Sequence, residues 1–233
     1  KYNNSSLFTK EAMDNIIKDN IKVQFIDSFF ANVGKNAGFK MMSAFKCDRV
    51  PALENFIVKE YNGQKKPYIV WNTDIQMIVG YFTLITTCMV IRPYEKANPE
   101  HRQEKDVEKI ISCVELEHFA LNDVYLKWLE DHGHNNKGIG NGIFYEYICD
   151  IVAVLSSQIN FSYLVLHAYN NPKVIEAYRK MGFRTMRDDA EDIVPMLSDV
   201  RALHCDYAGD CRFMFEEVES ILFEVVRRNA YVQ

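Results

Sequence analysis

Apolar residues recur at helical spacing in the first part of the chain. Residues 8–31 place apolar side chains three or four positions apart, and Thr9 stands where a helix N-cap is expected. A second apolar face, built on Leu53, Phe56 and Ile57, lies between Pro51 and Tyr61. This part of the sequence therefore predicts two helices.

Alternating and β-branched apolar residues further along predict strands, with helical stretches between them. Tyr68–Trp71 and Met77–Val90 flank a turn at residues 72–74, which is typical of a hairpin. The other predicted strands are Lys109–Leu121, Tyr163–Ala168 and Arg212–Phe215. Later helices are predicted over about 143–158, 172–181, 193–203 and 217–228, with a turn or short helix over 122–130.

The order of these elements predicts a mixed α/β domain rather than a regular alternation of strands and helices. The strand–helix–strand unit over residues 109–168 should place its two strands side by side and parallel, joined by a right-handed crossover. Gly182 stands where the helix that begins at Pro172 is expected to stop. We therefore expect one parallel strand pair inside a mixed sheet.

Composition and charge exclude several classes of protein. The 233 residues are 48% hydrophobic and 25% charged, which allows a sizeable core and argues against disordered and low-complexity chains. Because no apolar run approaches the length of a membrane helix and the N-terminus lacks a signal-peptide core, we expect no membrane span and a cytoplasmic location. The formal net charge is −5, with a positive surplus only before residue 67, so a nucleic-acid partner is not expected.

The cysteines and histidines form no metal-binding pattern. The six cysteines include no CxxC pair, and Cys88, Cys113 and Cys149 lie within apolar runs, where a thiol is usually buried. His132 and His134 stand two residues apart with no third ligand at a suitable spacing. We therefore expect no metal site.

The segment with the clearest chemical signal is Asn135–Gly142, which lies between a predicted strand and a predicted helix. Glycines allow a backbone to approach a ligand closely, and the unpaired amides that open a helix favour a phosphate. Lys137 adds a positive charge. The segment is neither a Walker A loop nor a GxGxxG fingerprint, and a close-packing turn explains it equally well.

Three signatures in order resemble the GNAT superfamily of acetyl-CoA-dependent N-acetyltransferases. The first signature is a strand, then Gln/Arg-x-x-Gly-x-Gly/Ala, then a helix. The predicted strand over 109–121, residues 135–140 and the helix after them match it in this order. Its strand with Asn-x-x-Ala-x-x-Phe-Tyr-x-x-x-Gly-Phe is matched over residues 167–183, and its Val-Gly-Tyr/Phe strand over 78–84. Two features depart from the family: Asn135 replaces the usual Arg or Gln, and the link after Leu121 is about ten residues longer.

The resemblance implies a mostly antiparallel central sheet with a central parallel strand pair, flanked by helices. It implies three regions: an N-terminal helical addition over 1–50, the acetyltransferase domain over 51–216 and a C-terminal helix over 217–233. It also implies acetyl-CoA as the acyl-donor cosubstrate and a primary amine as the acceptor. Acetyl would pass directly to the amine, since no cysteine stands at a signature position where it could act as the nucleophile. Homodimerisation through the terminal segments is an option that the resemblance leaves open.

The resemblance also assigns roles to individual residues. Backbone groups of Phe119, Ala120 and Leu121 would hold the pantetheine arm, and the Tyr178 hydroxyl would be the general acid toward the coenzyme sulfur. Asn170 and Asn171 would contact the coenzyme arm, although capping of the helix that starts at Pro172 explains them about as well. The diphosphate would be bound by the glycine-rich segment, namely Asn135, Asn136, Lys137, Gly138, Ile139, Gly140, Asn141 and Gly142.

The general base has two candidates. Glu115 and Glu117 share one face of their strand because side chains alternate, whereas His118 points to the other face. Burial raises the pKa of a carboxylate, as a base that works near neutral pH requires. Glu115 stands where some family members keep a catalytic glutamate, and Glu117 stands nearer the expected thioester. An edge-exposed or salt-bridged carboxylate is an equally good explanation of either residue.

Two other functions remain open. Residues 52–56, 78–84 and 116–121 look similar to segments of bacterial acetyltransferase toxins that modify aminoacyl-tRNA, although the acidic net charge of this chain argues against that acceptor. The absence of the usual Arg or Gln at Asn135 also permits a catalytically silent acyl-CoA-binding or interaction module.

Overall fold

Residues 20–59, 66–91, 109–185 and 211–230 are described by a computed structural model. Six strands form one sheet in the order β1-β2-β3-β4-β5-β6. The strands are β1 (Ile21–Phe25), β2 (Tyr68–Asn72), β3 (Met77–Ile91), β4 (Lys109–Leu121), β5 (Tyr163–Tyr169) and β6 (Cys211–Glu217). The helices are α1 (Ile26–Val33), α2 (Lys35–Ser43), α3 (Pro51–Lys59), α4 (Asp123–Asp131), α5 (Ile139–Gln158), α6 (Pro172–Lys180) and α7 (Val218–Ala230).

The prediction of one continuous helix over residues 8–31 is wrong where the structure describes this segment. Ile21–Phe25 is a strand that pairs antiparallel with β2, from Ile21 opposite Asn72 to Phe25 opposite Tyr68. Apolar residues two positions apart fit a strand, and this alternation prevails over the helical spacing. The chain then becomes helical at Ile26, whose amide donates to the Pro67 carbonyl oxygen at 3.1 Å. Thr9 and the rest of residues 8–19 lie outside the described residues.

The expected parallel pair is present. Cys113–Glu115 of β4 pair with Tyr163–Val165 of β5, and β5 pairs antiparallel with β6 along its full length. A mixed, mostly antiparallel sheet with one parallel pair is therefore confirmed. The predicted helix over 193–203 and the predicted loop over 92–108 lie outside the described residues.

The chain divides into two compact units. The first unit comprises residues 1–83 and 118–143, and the second comprises residues 84–117 and 144–233. In the first unit the buried Tyr81 ring lies 5.4 Å from Phe45 and 5.7 Å from Phe56, and its hydroxyl donates to the Leu53 carbonyl oxygen at 2.7 Å. The second unit has its own apolar cluster, formed by Met89, Cys113, Val165, Phe213 and Phe215. Each unit thus has a core of its own.

Helix α5 begins at Ile139, four residues before the predicted start near Ile143, and contains a π-helical turn at Phe144–Ile148. Among the described residues it is the one helix that is long and apolar enough to cross a membrane. Length and composition alone give this result, and the core helices of proteins that cross no membrane give it too. The buried residues of α5 include Ile148 and Val152, as in a helix that packs within a fold.

Candidate active site

The glycine-rich segment forms a turn that opens helix α5. The Asn135 side-chain oxygen accepts a hydrogen bond from the Lys137 amide at 2.9 Å. Gly138 has a φ of +85°, a left-handed conformation that glycine adopts without strain, and its carbonyl oxygen accepts from the Gly142 amide at 2.9 Å. This turn places Gly140, Asn141 and Gly142 in the first helical turn, whereas the sequence analysis left them in a loop.

The first three amides of α5 have no hydrogen-bond partner among the described residues. The Ile139, Gly140 and Asn141 amides donate no hydrogen bond to any residue in the described part of the chain. A Cβ atom added at the exposed Gly138 would meet no atom within 4 Å, so the space beside the turn is also open. Unpaired amides at a helix start carry partial positive charge and are the usual protein partners of phosphate groups. A phosphate-binding role of this segment stays a prediction.

The parallel strands β4 and β5 separate after three paired residues. The parallel register ends at Glu115 opposite Val165. Beyond that point β5 stays paired with β6, where Leu166 is opposite Met214 and His167 opposite Phe213. The resemblance predicts that the pantetheine arm lies beside β4 from this point, like an added strand.

A buried carboxylate lies at the point where the strands separate. Glu115 is only 2% exposed, and its Oε1 atom lies 3.0 Å from His167 Nδ1. The His167 ring is more accessible, with 18% of its side chain exposed, and it lies edge-on to Phe213 with centroids 5.4 Å apart. His167 is the first residue of the segment that matches the second signature, and its sequence position alone indicates no role. Only the pairing of β4 with β5 brings it to Glu115.

Tyr178 lies on helix α6, among aromatic rings. Its ring is edge-on to Phe183 with centroids 5.7 Å apart, and Phe183 in turn packs against Phe144 at 5.5 Å. The Tyr178 hydroxyl makes no hydrogen bond to a residue that the structure describes. Burial of the phenol raises the pKa of Tyr178 well above its usual value of 10.0, although the side chain as a whole is only half-buried. The hydroxyl therefore keeps its proton throughout the neutral pH range, as a general acid must.

The chain segment after Tyr178 fixes the end of its helix. The Phe183 amide donates to the Tyr178 carbonyl oxygen and the Gly182 amide to that of Arg179, each at 3.0 Å. Gly182 has a φ of +100°. This arrangement is a Schellman-type helix end, and it confirms Gly182 as the predicted stop.

The other residues with predicted roles in the site differ in burial and in hydrogen bonding. Phe119 and Leu121 are half-buried, whereas Ala120 is buried and its carbonyl oxygen lies 2.5 Å from where a Cβ atom on Gly80 would be. Asn171 caps α6, since its side-chain oxygen accepts from the Lys173 amide at 2.9 Å, whereas Asn170 is exposed. The capping explanation of Asn171 is thus confirmed, and a coenzyme contact of either asparagine stays a prediction. Glu117 is half-buried.

His118 faces away from Glu115, as alternation along β4 predicts. Its Nδ1 atom lies 2.9 Å from Thr83 Oγ1, and its ring stacks on Phe56 with centroids 4.1 Å apart. The Thr83 hydroxyl oxygen also accepts from the His118 amide at 3.1 Å. These contacts make His118 part of the packing in the first unit.

Two buried cysteines of the described residues keep their protons at neutral pH. Burial raises the pKa of Cys113 and of Cys149 to about 12 from the ordinary value of 9.0, so both remain thiols at neutral pH. The expectation that Cys88 is buried is wrong, because it lies near the end of β3 and is exposed. In the described ranges, no group of three or more His, Cys, Asp or Glu residues is arranged to hold a metal ion.

Comparison with known proteins finds the likeness in structure alone. No protein-family model matches the sequence, and a search of curated proteins gives no match. Among solved structures, the KacT toxin in a mutant form is 16% identical, with a TM-score of 0.54, and the match covers 87% of this chain and 98% of that one.

Two structures of the AtaT toxin are also similar. A mutant AtaT bound to acetyl-CoA and the C-terminus of its antitoxin AtaR is 17% identical, with a TM-score of 0.54, and the match covers 87% of this chain and 96% of that one. AtaT in complex with acetyl-methionyl-tRNAfMet is 18% identical, with a TM-score of 0.53 and coverage of 88% and 98%. At these identities the likeness shows the fold, and the fold implied by the sequence resemblance is confirmed.

Proposed function

We propose that this chain, which has the fold of the AtaT and KacT toxins, is an acetyl-CoA-dependent N-acetyltransferase of the GNAT type. It transfers acetyl directly to a primary amine without a covalent acetyl-enzyme. The observation that supports this most strongly is the set of three amides that open α5 with no partner among the described residues. Open amides at this segment suit the diphosphate of acetyl-CoA, which AtaT binds in the same fold.

The donor is bound mainly by backbone groups in this proposal. The side chain of Lys137 is exposed beside the turn and adds a positive charge to the field of the helix N-terminus. Asn135 cannot supply the charge of the usual Arg, because its side chain is a neutral amide that is engaged with the Lys137 amide. The proposed donor-binding residues are Phe119, Ala120, Leu121, Asn135, Asn136, Lys137, Gly138, Ile139, Gly140, Asn141, Gly142, Asn170 and Asn171.

The proposed reaction needs one acid and one base. The neutral amine attacks the thioester carbonyl, the new C–N bond forms and the C–S bond breaks. The departing thiolate takes the proton of the Tyr178 hydroxyl, and the amine loses one proton to the Glu115 carboxylate, which His167 positions through its 3.0 Å contact. Glu117 is the alternative base, because it lies on the same face of β4. Exchange with solvent then restores both side chains.

Calorimetry and a thiol-release assay test this proposal together. We expect acetyl-CoA to bind and a panel of primary amines to release free coenzyme thiol in a protein-dependent manner. Absence of binding at millimolar acetyl-CoA would exclude the enzyme. Binding with no turnover across the panel would favour the catalytically silent acyl-CoA-binding module instead.

The amino group of aminoacyl-tRNA is a narrower candidate for the acceptor. AtaT has been solved with acetyl-methionyl-tRNAfMet, and this chain shares its fold. The structure with tRNA weakens the expectation, drawn from the net charge of −5, that nucleic acid is not a partner. A positive surplus before residue 67 would have to offset the acidic remainder of the chain.

Expression in bacteria distinguishes this acceptor from small amines. If aminoacyl-tRNA is acetylated, induction arrests growth, Tyr178→Phe relieves the arrest, and labelled acetyl appears on aminoacyl-tRNA in the induced cells. Growth that continues normally at high expression of the intact protein would contradict this acceptor while leaving acetyl transfer to other amines intact.

A further inference from the structure

Four rings at the end of helix α4 form a stacked set, which we call the ring array: Tyr125, Trp128, His132 and His134. Trp128 is the central ring. It lies 6.2 Å from Tyr125 at an interplanar angle of 17°, 4.3 Å from His132 at 27°, and 6.2 Å from His134 at 26°. Each of the other three ring planes therefore lies within 27° of the Trp128 plane. The array falls in the segment where this chain is longer than the GNAT pattern.

The ring array is fixed at its inner end and open at its outer end. Tyr125 is only 1% exposed, so the inner end of the array is packed within the fold. Trp128 is half-buried, and both histidines are exposed. The His132 ring is held in place because its Nδ1 atom lies 2.7 Å from the Trp128 carbonyl oxygen. A rigid stack of this kind presents aromatic faces to solvent at little cost in entropy when a flat ligand binds.

Helix-end stabilisation alone does not account for the array. A Trp–His pair four residues apart does stabilise the end of a helix, and Trp128 with His132 is such a pair. His134, however, lies beyond the helix and still keeps its ring near parallel to Trp128. Gly133, with a φ of +75°, turns the chain so that the His134 amide donates to the Leu129 carbonyl oxygen at 2.8 Å. The turn thus brings His134, the fourth ring, to the stack.

The ring array is joined directly to the glycine-rich segment. His134 is followed by Asn135, and the Asn136 side-chain amide donates to the Glu130 carboxylate of α4. The same helix end therefore holds both the array and the turn that precedes the open amides of α5. Only the segment from Asn135 to Gly138 separates the last ring of the array, His134, from the first unpaired amide, that of Ile139.

We propose that the ring array stacks on the adenine of acetyl-CoA, an inference that rests on the function proposed above. Acetyl-CoA carries its thioester on one side of the diphosphate and its adenosine on the other, so a purine is the flat group that adjoins the phosphates. Purine faces stack on aromatic rings, and the exposed faces of His132 and His134 are the ones open to it. Stacking on the array thus strengthens the binding of acetyl-CoA, whereas the neutral Asn135 adds no charge to attract its phosphates.

Calorimetry with two donors tests the inference. Acetyl-CoA contains adenosine, whereas S-acetyl-pantetheine lacks both the adenosine and the phosphates. We expect His132→Ala and His134→Ala each to weaken acetyl-CoA binding by about five- to fifty-fold, in line with the loss of one base-stacking contact. Neither variant should change the affinity for acetyl-pantetheine. The ethenoadenine analogue of the coenzyme should also lose fluorescence on binding to the intact protein and lose less on binding to His134→Ala.

A matched control replaces an exposed aromatic residue elsewhere, and Phe223→Ala on α7 serves because Phe223 is 69% exposed. It should leave both affinities unchanged. The inference is overturned if His132→Ala and His134→Ala bind acetyl-CoA as the intact protein does, or if they weaken both donors equally. If the intact protein binds neither donor, the proposed function fails and this inference with it. If the intact protein binds acetyl-CoA and the two histidine variants bind it equally well, the inference fails and the proposed function stands.

Discussion

At the scale of single residues, the proposed chemistry depends on where protons reside at neutral pH. Burial raises the pKa of the Tyr178 phenol, so its proton is available to a departing thiolate. Glu115 is buried, and its Oε1 atom lies 3.0 Å from Nδ1 of the more accessible His167 ring, which positions the proposed base. Neither environment can be predicted from the sequence, because each is made by residues from different elements.

Replacement of Tyr178 by phenylalanine removes the proposed acid without changing the ring contacts. We expect acetyl-CoA to bind Tyr178→Phe as it binds the intact protein, and turnover to fall roughly 100-fold or more, as for loss of a general acid. Tyr145→Phe is the matched control. Tyr145 is also a half-buried phenol, and desolvation raises its pKa to about 12, but its hydroxyl donates to the Lys180 carbonyl oxygen at 3.0 Å. Equal losses of turnover in the two variants would show that Tyr178 has no special role.

The buried thiols predict how stability depends on pH. The pKa of Cys149 rises to about 12 in the folded protein from an ordinary value of 9.0, mainly because burial disfavours the thiolate. The folded pKa is the higher one, so this stabilisation is complete below pH 9 and is lost as the pH rises toward 12. Between pH 7 and pH 10 the free energy of unfolding should fall by about 1 kcal/mol through this group. Urea unfolding of Cys149→Ala should show a shallower decline over that range, and an identical decline would contradict the prediction.

At the scale of secondary structure, the bounds of an element can be predicted from the sequence where recognisable residues mark both of its ends. Strand β4 matches its predicted bounds, since a polar segment precedes it and the N-cap Asn122 follows it. Strand β1 was missed because Ile21 and Phe25 are spaced four residues apart, which fits a helix as well as a strand. The low helix propensity of glycine predicts a later start of α5 than the observed one. In the structure the Gly142 amide donates to the Gly138 carbonyl oxygen, and this bond closes the first turn.

The turn before α5 can be tested by the substitution Gly138→Ala. Because Gly138 has a φ of +85° and no atom lies within 4 Å of the new Cβ, the change adds about 1–2 kcal/mol of backbone strain without a clash. If the left-handed turn aims the α5 amides at the donor, relaxation of that strain should weaken acetyl-CoA binding about tenfold. Calorimetry measures the change.

Gly34→Ala is the control for this experiment. Gly34 has a φ of +82°, and no atom of a described residue lies within 4 Å of its added Cβ, so alanine introduces backbone strain at a turn that the proposal does not use. Both variants should lose stability in urea, but only Gly138→Ala should lose affinity for acetyl-CoA. A similar loss of affinity in both variants would mean that strain in general, rather than this turn, is responsible.

At the scale of the whole molecule, the fold is similar to that of solved structures although no family model matches the sequence. The sequence resemblance rested on short segments of fixed spacing, and these segments form the parallel pair, the turn at Gly138 and the helix end at Gly182. These segments do not predict the structure of the link after β4, which has no counterpart in the family pattern. The longer link after β4 forms α4, and its rings pack into an array that is formed only when the helix and the turn after it are folded.

The central claim is that the first amides of α5 bind the diphosphate of acetyl-CoA. Backbone amide NMR of the isotopically labelled protein during titration with acetyl-CoA tests it most directly. The account predicts that the Ile139, Gly140 and Asn141 resonances shift strongly and saturate together, because a phosphate oxygen becomes their hydrogen-bond acceptor. Saturable binding that leaves these three resonances in place, or no binding at all, would contradict it.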